Sequence, residues 1–242
     1  PLPQQTAAAM GEASLFDVGA DWPAYGGTYS SRRYSPLAQI TPANVDQLER
    51  AWVFETGDLP AQGAENKYGA ETTPLKIGNT LYLCSATNVL FALDARTGQP
   101  IWRHDPGVSD DWIPYTAACR GVVYYATPEA DPASACATRI IEGTLDGRLI
   151  AVDARTGAPC TDFGQNGQAD IKVGMGDVVP GMVSITSPPV IVQGVIVTGH
   201  QVLDGQKLSA PSGVIQGFDA VTGAHRWAWD MTRPDLTRRP AE

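Results

Sequence analysis

The sequence predicts an all-β protein built from repeated four-stranded sheets, and three observations support this. Short runs of β-branched and aromatic residues alternate with turn signals from Asp21 onward. The 25 glycines and 19 prolines are more than a helical protein usually carries, and they suit tight turns between strands. A pattern of eleven residues also recurs three times along the chain.

The recurring pattern describes a strand, a turn and a second strand. Its copies lie at residues 92–102, 151–161 and 217–227. Their aspartates, Asp94, Asp153 and Asp219, are 59 and 66 residues apart, and a worn copy runs from Asn44 to Trp52. In each full copy the Asp and Thr side chains are placed to bond the turn backbone, and glycine supplies a positive φ. Tryptophan ends two of the copies and is predicted to fill the gap between neighbouring sheets.

A four-stranded sheet has two faces to bury, and radial stacking on neighbouring sheets covers both. The motif Asp-x-x-Thr-Gly alone is typical of an ordinary hairpin turn, but three copies at this spacing favour the blades of a β-propeller. Units of about 60 residues suit a ring of more than four blades. The chain is therefore predicted to cover about half of the blades of a larger ring.

The remaining elements follow in chain order. Residues 1–20 lack a clear period and are predicted as an N-terminal arm, and residues 21–242 as the partial propeller domain. The segment from Thr41 to Arg50 predicts a helix, with Thr41 as its cap and with Val45 and Leu48 on one face. The strand candidates include residues 80–84, 89–93, 121–125, 148–152 and 195–198.

Charge and composition exclude several classes of function. The formal net charge is −9 and the pI is about 4.7, which argues against a nucleic-acid partner and gives no support to a polybasic membrane surface. No apolar run is long enough to span a bilayer, and no signal peptide is recognisable. A chain that opens at Pro1 is expected to be a processed or trimmed product.

The four cysteines leave two alternatives open. Cys84, Cys119, Cys136 and Cys160 form no CxxC pair, so a zinc site is not indicated. They are either buried apolar thiols, or they form one or two bridges in an oxidising compartment.

Several motifs around the repeat resemble those of pyrroloquinoline-quinone (PQQ)-dependent dehydrogenases, and the repeat itself is similar to that family's tryptophan-docking motif. The order and spacing are closest to the membrane-bound glucose/quinate/shikimate branch. The motifs are DWPAYGG at residues 21–27, RYSPL at 33–37, AWVFETGD at 51–58, ETTPL at 71–75 and LYLC at 81–84.

This resemblance implies an eight-bladed propeller with PQQ and a divalent metal, Ca²⁺ or Mg²⁺, on its axis. It implies a periplasmic domain, membrane-anchored in the full-length protein through segments outside this chain, that oxidises a polyol and passes electrons to ubiquinone. The family's catalytic base comes from later blades than those present here. We therefore expect no catalytic residue in this chain, which would be inactive without the remaining half of the propeller or a second copy to close the ring.

The resemblance also assigns cofactor-binding residues. Glu71 matches a cofactor-contacting glutamate, Arg120 an arginine that binds a cofactor carboxylate, and Thr186 a hydroxyl donor. A forked guanidinium suits bidentate contact with a carboxylate. His200 and Gln201 are candidates for the cofactor rim.

Asp204 falls where the family has an acidic metal ligand. Carboxylate oxygen is the ligand that Ca²⁺ and Mg²⁺ prefer. An Asp-Gly turn of no further function is the alternative at this position.

Two further positions bear on the substrate. Thr116 stands where glucose-oxidising members carry histidine, and Lys67 is placed to meet a substrate carboxylate. Both favour quinate or shikimate, with glucose or another polyol such as glycerol or sorbitol as the alternative. Ala118 and Cys119 replace the adjacent cysteine pair of the soluble alcohol dehydrogenases, which favours the membrane-bound branch.

A second class of function stays open, namely a non-enzymatic propeller that serves as a scaffold or assembly module. Such a scaffold would bind no cofactor. It would not need four potential cofactor and metal ligands at one site, namely Glu71, Arg120, Thr186 and Asp204. Neither a G-x-S-x-G serine-hydrolase motif nor a G-x-G-x-x-G nucleotide motif after a strand is present.

Overall fold

The structure, a computed structural model, describes residues 19–59, 65, 67–109, 111–113, 115–203, 205 and 210–231. Over these residues it contains three four-stranded antiparallel sheets, one two-stranded ribbon and a single turn of 3₁₀-helix. The predicted all-β class is confirmed. Most of the predicted arm (residues 1–18) and the predicted metal ligand Asp204 lie outside the described residues.

Each four-stranded sheet is one blade. Blade 1 contains β1 (Leu75–Ile77), β2 (Thr80–Cys84), β3 (Leu90–Asp94) and β4 (Pro100–His104). Blade 2 contains β5 (Val123–Ala126), β6 (Thr138–Gly143), β7 (Arg148–Asp153) and β8 (Gln168–Asp170). The ribbon pairs β9 (Val183–Ser184) with β12 (Gln201–Val202), and blade 3 contains β10 (Val190–Val192), β11 (Val195–Thr198), β13 (Ile215–Asp219) and β14 (His225–Trp229). Blades 1 and 2 are simple meanders, whereas in blade 3 the chain leaves after β11 to form the ribbon.

The blades pack face to face because their strands alternate apolar residues on both sides. In β6 the buried Ile140 packs in the core shared with blade 1, and its neighbour Ile141 packs in the core shared with blade 3. In β7 Leu149 and Ile150 divide in the same way. This period of two gives blade 2 two buried faces, as radial stacking requires.

The repeat forms the turn that the sequence predicts. The Oδ1 atom of Asp94 accepts hydrogen bonds from the backbone N–H groups of Arg96 and Thr97 at 2.9 and 2.8 Å. Asp153 and Asp219 make the equivalent bonds. In the second copy, however, no strand follows the turn directly: Pro159 makes one isolated bridge to Val152, and β8 begins only at Gln168.

Aromatic rings dock on the glycine of each repeat. A Cβ added to Gly98 would lie 2.5 Å from the Trp52 ring, and one added to Gly157 would lie 2.7 Å from Trp102, so both rings stack directly on backbone. The first contact confirms that Trp52 docks like the tryptophan of a repeat, although residues 44–52 form no strand. The second copy has no tryptophan, and Phe163 instead stacks on Gly223 of blade 3, 3.2 Å from the Cβ position.

The predicted helix from Thr41 to Arg50 is wrong. A three-residue 3₁₀ turn, Val45–Gln47, is present instead, and its N-cap is Asn44 rather than Thr41. Asn44 Oδ1 accepts hydrogen bonds from the Thr41 backbone N–H and hydroxyl, at 2.7 and 3.1 Å, which fixes a local turn. Val45 and Leu48 stay exposed, and an isolated helix this short is marginal without a buried face.

The four cysteines form two disulfides, which decides between the two alternatives that the sequence left open. Cys84 bonds to Cys119 with 6.0 Å between their Cα atoms, and Cys136 bonds to Cys160 with 5.8 Å. The first joins β2 of blade 1 to the segment that leads into blade 2, and the second lies within blade 2. No helix in the described part of the chain has the length and hydrophobicity of a membrane span.

Candidate cofactor site

Backbone hydrogen bonds connect three segments that precede the blades into one row. The Thr73 N–H donates to the Arg120 carbonyl at 3.0 Å, and the Arg120 N–H donates to the Thr186 carbonyl at 3.1 Å. Thr73 comes just before β1, Arg120 before β5, and Thr186 between β9 and β10. The fold therefore brings Arg120 and Thr186 into direct contact, although 66 residues separate them.

Glu71 joins the same row through its side chain. Its Oε2 atom lies 2.9 Å from Nη2 of Arg120, and both side chains are about two-fifths exposed (41% and 39%). The ion pair is open to solvent and contributes little stability by itself. Its geometry nevertheless holds the guanidinium in place while leaving it accessible to a further anionic group.

The two residues predicted to contact substrate lie beside this ion pair. The Ala117 N–H donates to the Lys67 carbonyl at 2.7 Å, and the Gly69 N–H donates to the Ala117 carbonyl at 2.8 Å. Thr116 reaches the same loop, since its Cγ2 lies 2.9 Å from the position a Cβ would take on Gly69. Lys67 and Thr116 are both exposed. The structure thus places them on one rim with Glu71.

Gln201 begins β12 of the ribbon, and His200 directly precedes it. Gln201 in β12 pairs with Ser184 in β9, and Ser184 lies two residues before Thr186 in the chain. The Gln201 side chain is exposed. Burial lowers the pKa of His200, which favours the neutral imidazole, and the ring Nε2 lies 3.2 Å from the Ser212 carbonyl. Nε2 therefore carries the proton, and Nδ1 is a buried acceptor with no hydrogen-bond partner among the described residues.

A cavity of about 160 Å³ opens beside Glu71 and extends to the first disulfide. Its walls include Gly69, Glu71, Thr72 and both sulfur-bearing residues, Cys84 and Cys119. Because Arg120 follows Cys119 directly, the disulfide fixes the backbone from which the candidate anion-binding guanidinium projects.

The chemistry of these residues suits a flat anionic ligand with carbonyl and carboxylate oxygens. Arg120 and Lys67 supply cationic donors, Thr186 and Thr116 hydroxyl groups, and Gln201 an amide. PQQ is a tricarboxylate, so the donor set fits it. The assigned roles remain predictions, and that of Asp204 falls outside the described residues.

Sequence reasoning missed one buried acid next to this site. Glu142 in β6 is fully buried, and its Oε2 accepts a 3.4 Å hydrogen bond from Asn88 Nδ2. The same oxygen lies 3.8 Å from Cys119 Sγ. The local signal at Glu142, an acid directly after Ile140 and Ile141 in β6, does not say whether the side chain is buried.

Stacked four-stranded blades with aromatic rings docked on the repeat glycines define a β-propeller domain, and its rim of cationic, hydroxyl and amide groups is typical of the quinoprotein dehydrogenase class. The chain belongs to the PQQ family: the family model described as "Glucose/ethanol/alcohol dehydrogenase, beta-propeller domain" matches residues 22–242. The predicted propeller is confirmed, and the described residues of the chain form three of its blades.

Individual proteins show the same similarity. The chain is 51% identical over 229 residues to the glycerol dehydrogenase large subunit of Gluconobacter oxydans (strain 621H), covering 95% of this chain and 31% of that protein. It is 37% identical to the quinate/shikimate dehydrogenase (quinone) of Acinetobacter baylyi, covering 97% of this chain and 31% of that protein. The crystal structure of the quinohemoprotein alcohol dehydrogenase from Comamonas testosteroni matches with a TM-score of 0.68 and 29% identity, over 87% of this chain and 27% of that one. The chain thus spans about a third of the length of the curated relatives it matches.

Proposed function

We propose that this chain is the cofactor-binding part of a PQQ-dependent polyol dehydrogenase. The observation that carries the proposal is the contact row in which Arg120 meets Glu71 through its side chain and Thr186 through its backbone. A scaffold propeller needs no exposed cation held at the junction of three blades. Similarity to dehydrogenases over nearly the whole chain supports the same reading.

In this proposal the residues of the chain bind and orient the cofactor. Arg120 binds a cofactor carboxylate, Glu71 holds the guanidinium and contacts the ring system, and Thr186 and Gln201 supply neutral donors. The bound quinone would supply the two-electron acceptor that alcohol oxidation needs. The base and further cofactor ligands would come from the rest of the propeller, and Asp204 remains the proposed ligand for Ca²⁺ or Mg²⁺.

For the substrate we propose an acyclic polyol of the glycerol type. The relative with 51% identity is a glycerol dehydrogenase large subunit, whereas the quinate/shikimate enzyme shares 37%. Quinate or shikimate remains a second candidate because of one observation, the exposed Lys67 beside Thr116 on the rim. An ammonium group there would favour a hydroxy acid over a neutral polyol.

The proposal is tested by cofactor binding to the full-length protein that contains this chain. Arg120→Ala should weaken PQQ binding by roughly tenfold to a hundredfold, since a charge-assisted contact to a carboxylate is lost. Titration of the apoprotein with PQQ in the presence of Ca²⁺ or Mg²⁺, followed by absorbance, measures this.

Arg103→Ala is the matched control, because Arg103 also forms an exposed ion pair, with Asp105 at 2.8 Å. It should leave PQQ affinity unchanged. Equal affinities for the two variants would remove the proposed role of Arg120, and no PQQ binding to the wild-type protein would favour the scaffold. Turnover of glycerol, glucose, quinate and shikimate by the reconstituted protein, with Lys67→Ala alongside, separates the substrate candidates.

We also propose that the protein works in the periplasm and passes electrons to ubiquinone. Two disulfides in one domain support an oxidising compartment. The name of the Gluconobacter relative, a large subunit, supports a further partner: we propose a smaller subunit that connects the propeller to the membrane. Co-purification from detergent-solubilised membranes tests this partner.

A further inference from the structure

Glu142 is a buried acid that no structural role fully accounts for. Its side chain has no exposed surface, and its Oε1 atom has no hydrogen-bond partner among the described residues. Burial raises the pKa of Glu142 well above its ordinary value, and Asp146 adds to this, while Asn88 and Arg148 act in the opposite direction. Burial therefore favours the protonated carboxyl group over the carboxylate.

The sulfur atoms of the Cys84–Cys119 disulfide lie between this acid and the cavity at the cofactor site. The carboxyl oxygen of Glu142 and both sulfurs fall within 4.8 Å of one another. Glu142 Oε2 is 3.8 Å from Cys119 Sγ, and Thr72 Oγ1, on the cavity side, is 3.5 Å from Cys84 Sγ. One sulfur thus faces the cavity wall and the other faces the acid.

The second disulfide lacks this arrangement. Its neighbouring acid is Asp162, whose side chain is 49% exposed and lies 3.0 Å from the guanidinium of Arg139. Unlike the carboxyl group of Glu142, this carboxylate is bound by a guanidinium and is open to solvent. Both bridges are buried, Cys84–Cys119 in the core between blades 1 and 2 and Cys136–Cys160 in the core between blades 2 and 3. The difference is the cavity, whose wall includes Cys84 and Cys119.

We propose that Cys84–Cys119 is a thiol–disulfide exchange site at which Glu142 is the proton donor and a small dithiol is the reductant. A thiolate of the dithiol attacks Cys84 Sγ from the cavity, the S–S bond breaks, and Glu142 protonates the departing sulfur of Cys119. The second thiol of the reductant loses its proton to solvent, attacks the reductant's own sulfur in the mixed disulfide and releases Cys84 as a thiolate. Cys84 and Glu142 each then take up a proton from solvent. The dithiol is oxidised by two electrons to its disulfide, and the protein disulfide is reduced to two thiols.

Exchange at this pair would act on the neighbouring site, because Cys119 adjoins Arg120 in the chain. Opening the bridge frees the segment that carries the guanidinium from β2 of blade 1. The proposal itself does not rest on the bound cofactor, since it concerns only sulfur, the acid and the cavity between them.

The experiment follows reduction of both bridges in the full-length protein at pH 7. Samples exposed to dithiothreitol are quenched with one alkylating reagent, fully reduced, and alkylated with an isotopically distinct one, so that mass spectrometry reads each cysteine pair separately. Cys84–Cys119 should open about tenfold or more faster than Cys136–Cys160, and Glu142→Gln should slow that opening by about tenfold or more. The rate at Cys136–Cys160 should stay unchanged.

Asp162→Asn is the matched control, because it removes the acid beside the other bridge. It should leave the opening of Cys84–Cys119 unchanged. A variant that merely loosens the fold would accelerate reduction of both bridges, so the expected slowing cannot arise from instability. Equal wild-type rates at the two bridges would overturn the proposal even if Glu142→Gln fails to fold, and so would a folded Glu142→Gln protein with the wild-type rate.

Discussion

The two joints between the blades share one repeat but are built from different chemistry. In the first joint, between blades 1 and 2, Trp102 stacks on Gly157 and donates its indole N–H to the Ala154 carbonyl at 3.0 Å. In the second joint, between blades 2 and 3, Phe163 stacks on Gly223, and its ring has no N–H or O–H group to donate a hydrogen bond. The same backbone turn therefore accepts either ring, provided that a glycine lies beneath it.

The two joints also differ in one buried ionisable residue each, an arginine in the second joint and an acid in the first. The second joint contains Arg139, 1% exposed, which donates to the Cys136 and Val221 carbonyls and pairs with Asp162, so its donors are satisfied from both blades. The first joint contains Glu142, with one oxygen unsatisfied next to a disulfide and a cavity. A saturated network stabilises a joint, whereas an unsatisfied acid costs stability and is typical of a functional position.

The largest effect is expected from the docking rings. Phe163→Ala should lower the free energy of unfolding by about 4 kcal/mol, as much as Trp102→Ala, because each removes a large buried ring that fills a joint. Urea denaturation of the full-length protein measures both. Ile101→Ala, at a 52% exposed position, is the control and should change stability by about 0.5 kcal/mol. A small loss for Phe163→Ala alone would mean that it does not replace the docking tryptophan.

A smaller effect is expected where the ring meets the backbone. Gly157→Ala should cost about 3 kcal/mol, since φ is +72° and the new Cβ would lie 2.7 Å from Trp102. Gly78→Ala is the control at φ +58° with no heavy atom within 4 Å, and should cost about 1 kcal/mol. Thermal or urea unfolding of the two variants gives the comparison. Equal losses would show that only the backbone conformation, and not ring packing, requires glycine at 157.

The sequence predicted those parts of the joints that depend on local chemistry. Asp94, Asp153 and Asp219 bond their own turns, and a glycine of positive φ follows each, so the pattern is readable within eleven residues. The docking role of Phe163 was not readable, because extra residues between Cys160 and Gln168 move the ring away from the tryptophan position. The helix at Thr41 failed because hydrophobic spacing does not say whether a face finds a partner.

The candidate site divides in the same way. Glu71, Arg120 and Thr186 are assigned to the candidate site by resemblance to a family. Their contact depends on backbone bonds between segments far apart in sequence. The packing of β6 against β2 decides which cysteines pair. It also places Glu142 beside one of the two pairs. No local pattern carries that information, since a single acid in an apolar strand is equally typical of an exposed edge.

The smallest effect is expected from the proton of Glu142, the buried acid of the first joint. It is a change of stability with pH. The folded protein keeps this proton at pH values above the ordinary 4.5, at which the unfolded chain has released it. The native state then binds more protons than the unfolded state, so stability falls as pH rises, by up to about 1.4 kcal/mol per unit, until the folded-state pKa is reached. Glu142→Gln has no such proton to lose. Its stability relative to wild type should therefore rise between pH 5 and pH 7, as measured by urea denaturation at each pH.

Asp219 in blade 3 provides the opposite case. Burial alone would raise the pKa of Asp219, but hydrogen bonds from Arg226, Thr222 and Val221 outweigh it and bring that pKa to about 2. Its stabilising charge is complete above the ordinary value of 3.8 and is lost only as pH falls towards 2. Asp219→Asn should thus show a constant deficit between pH 5 and pH 7, while the difference for Glu142→Gln changes. Parallel curves for both variants would mean that Glu142 is ionised in the folded protein, and the first joint would then lack the proton that distinguishes it from the second.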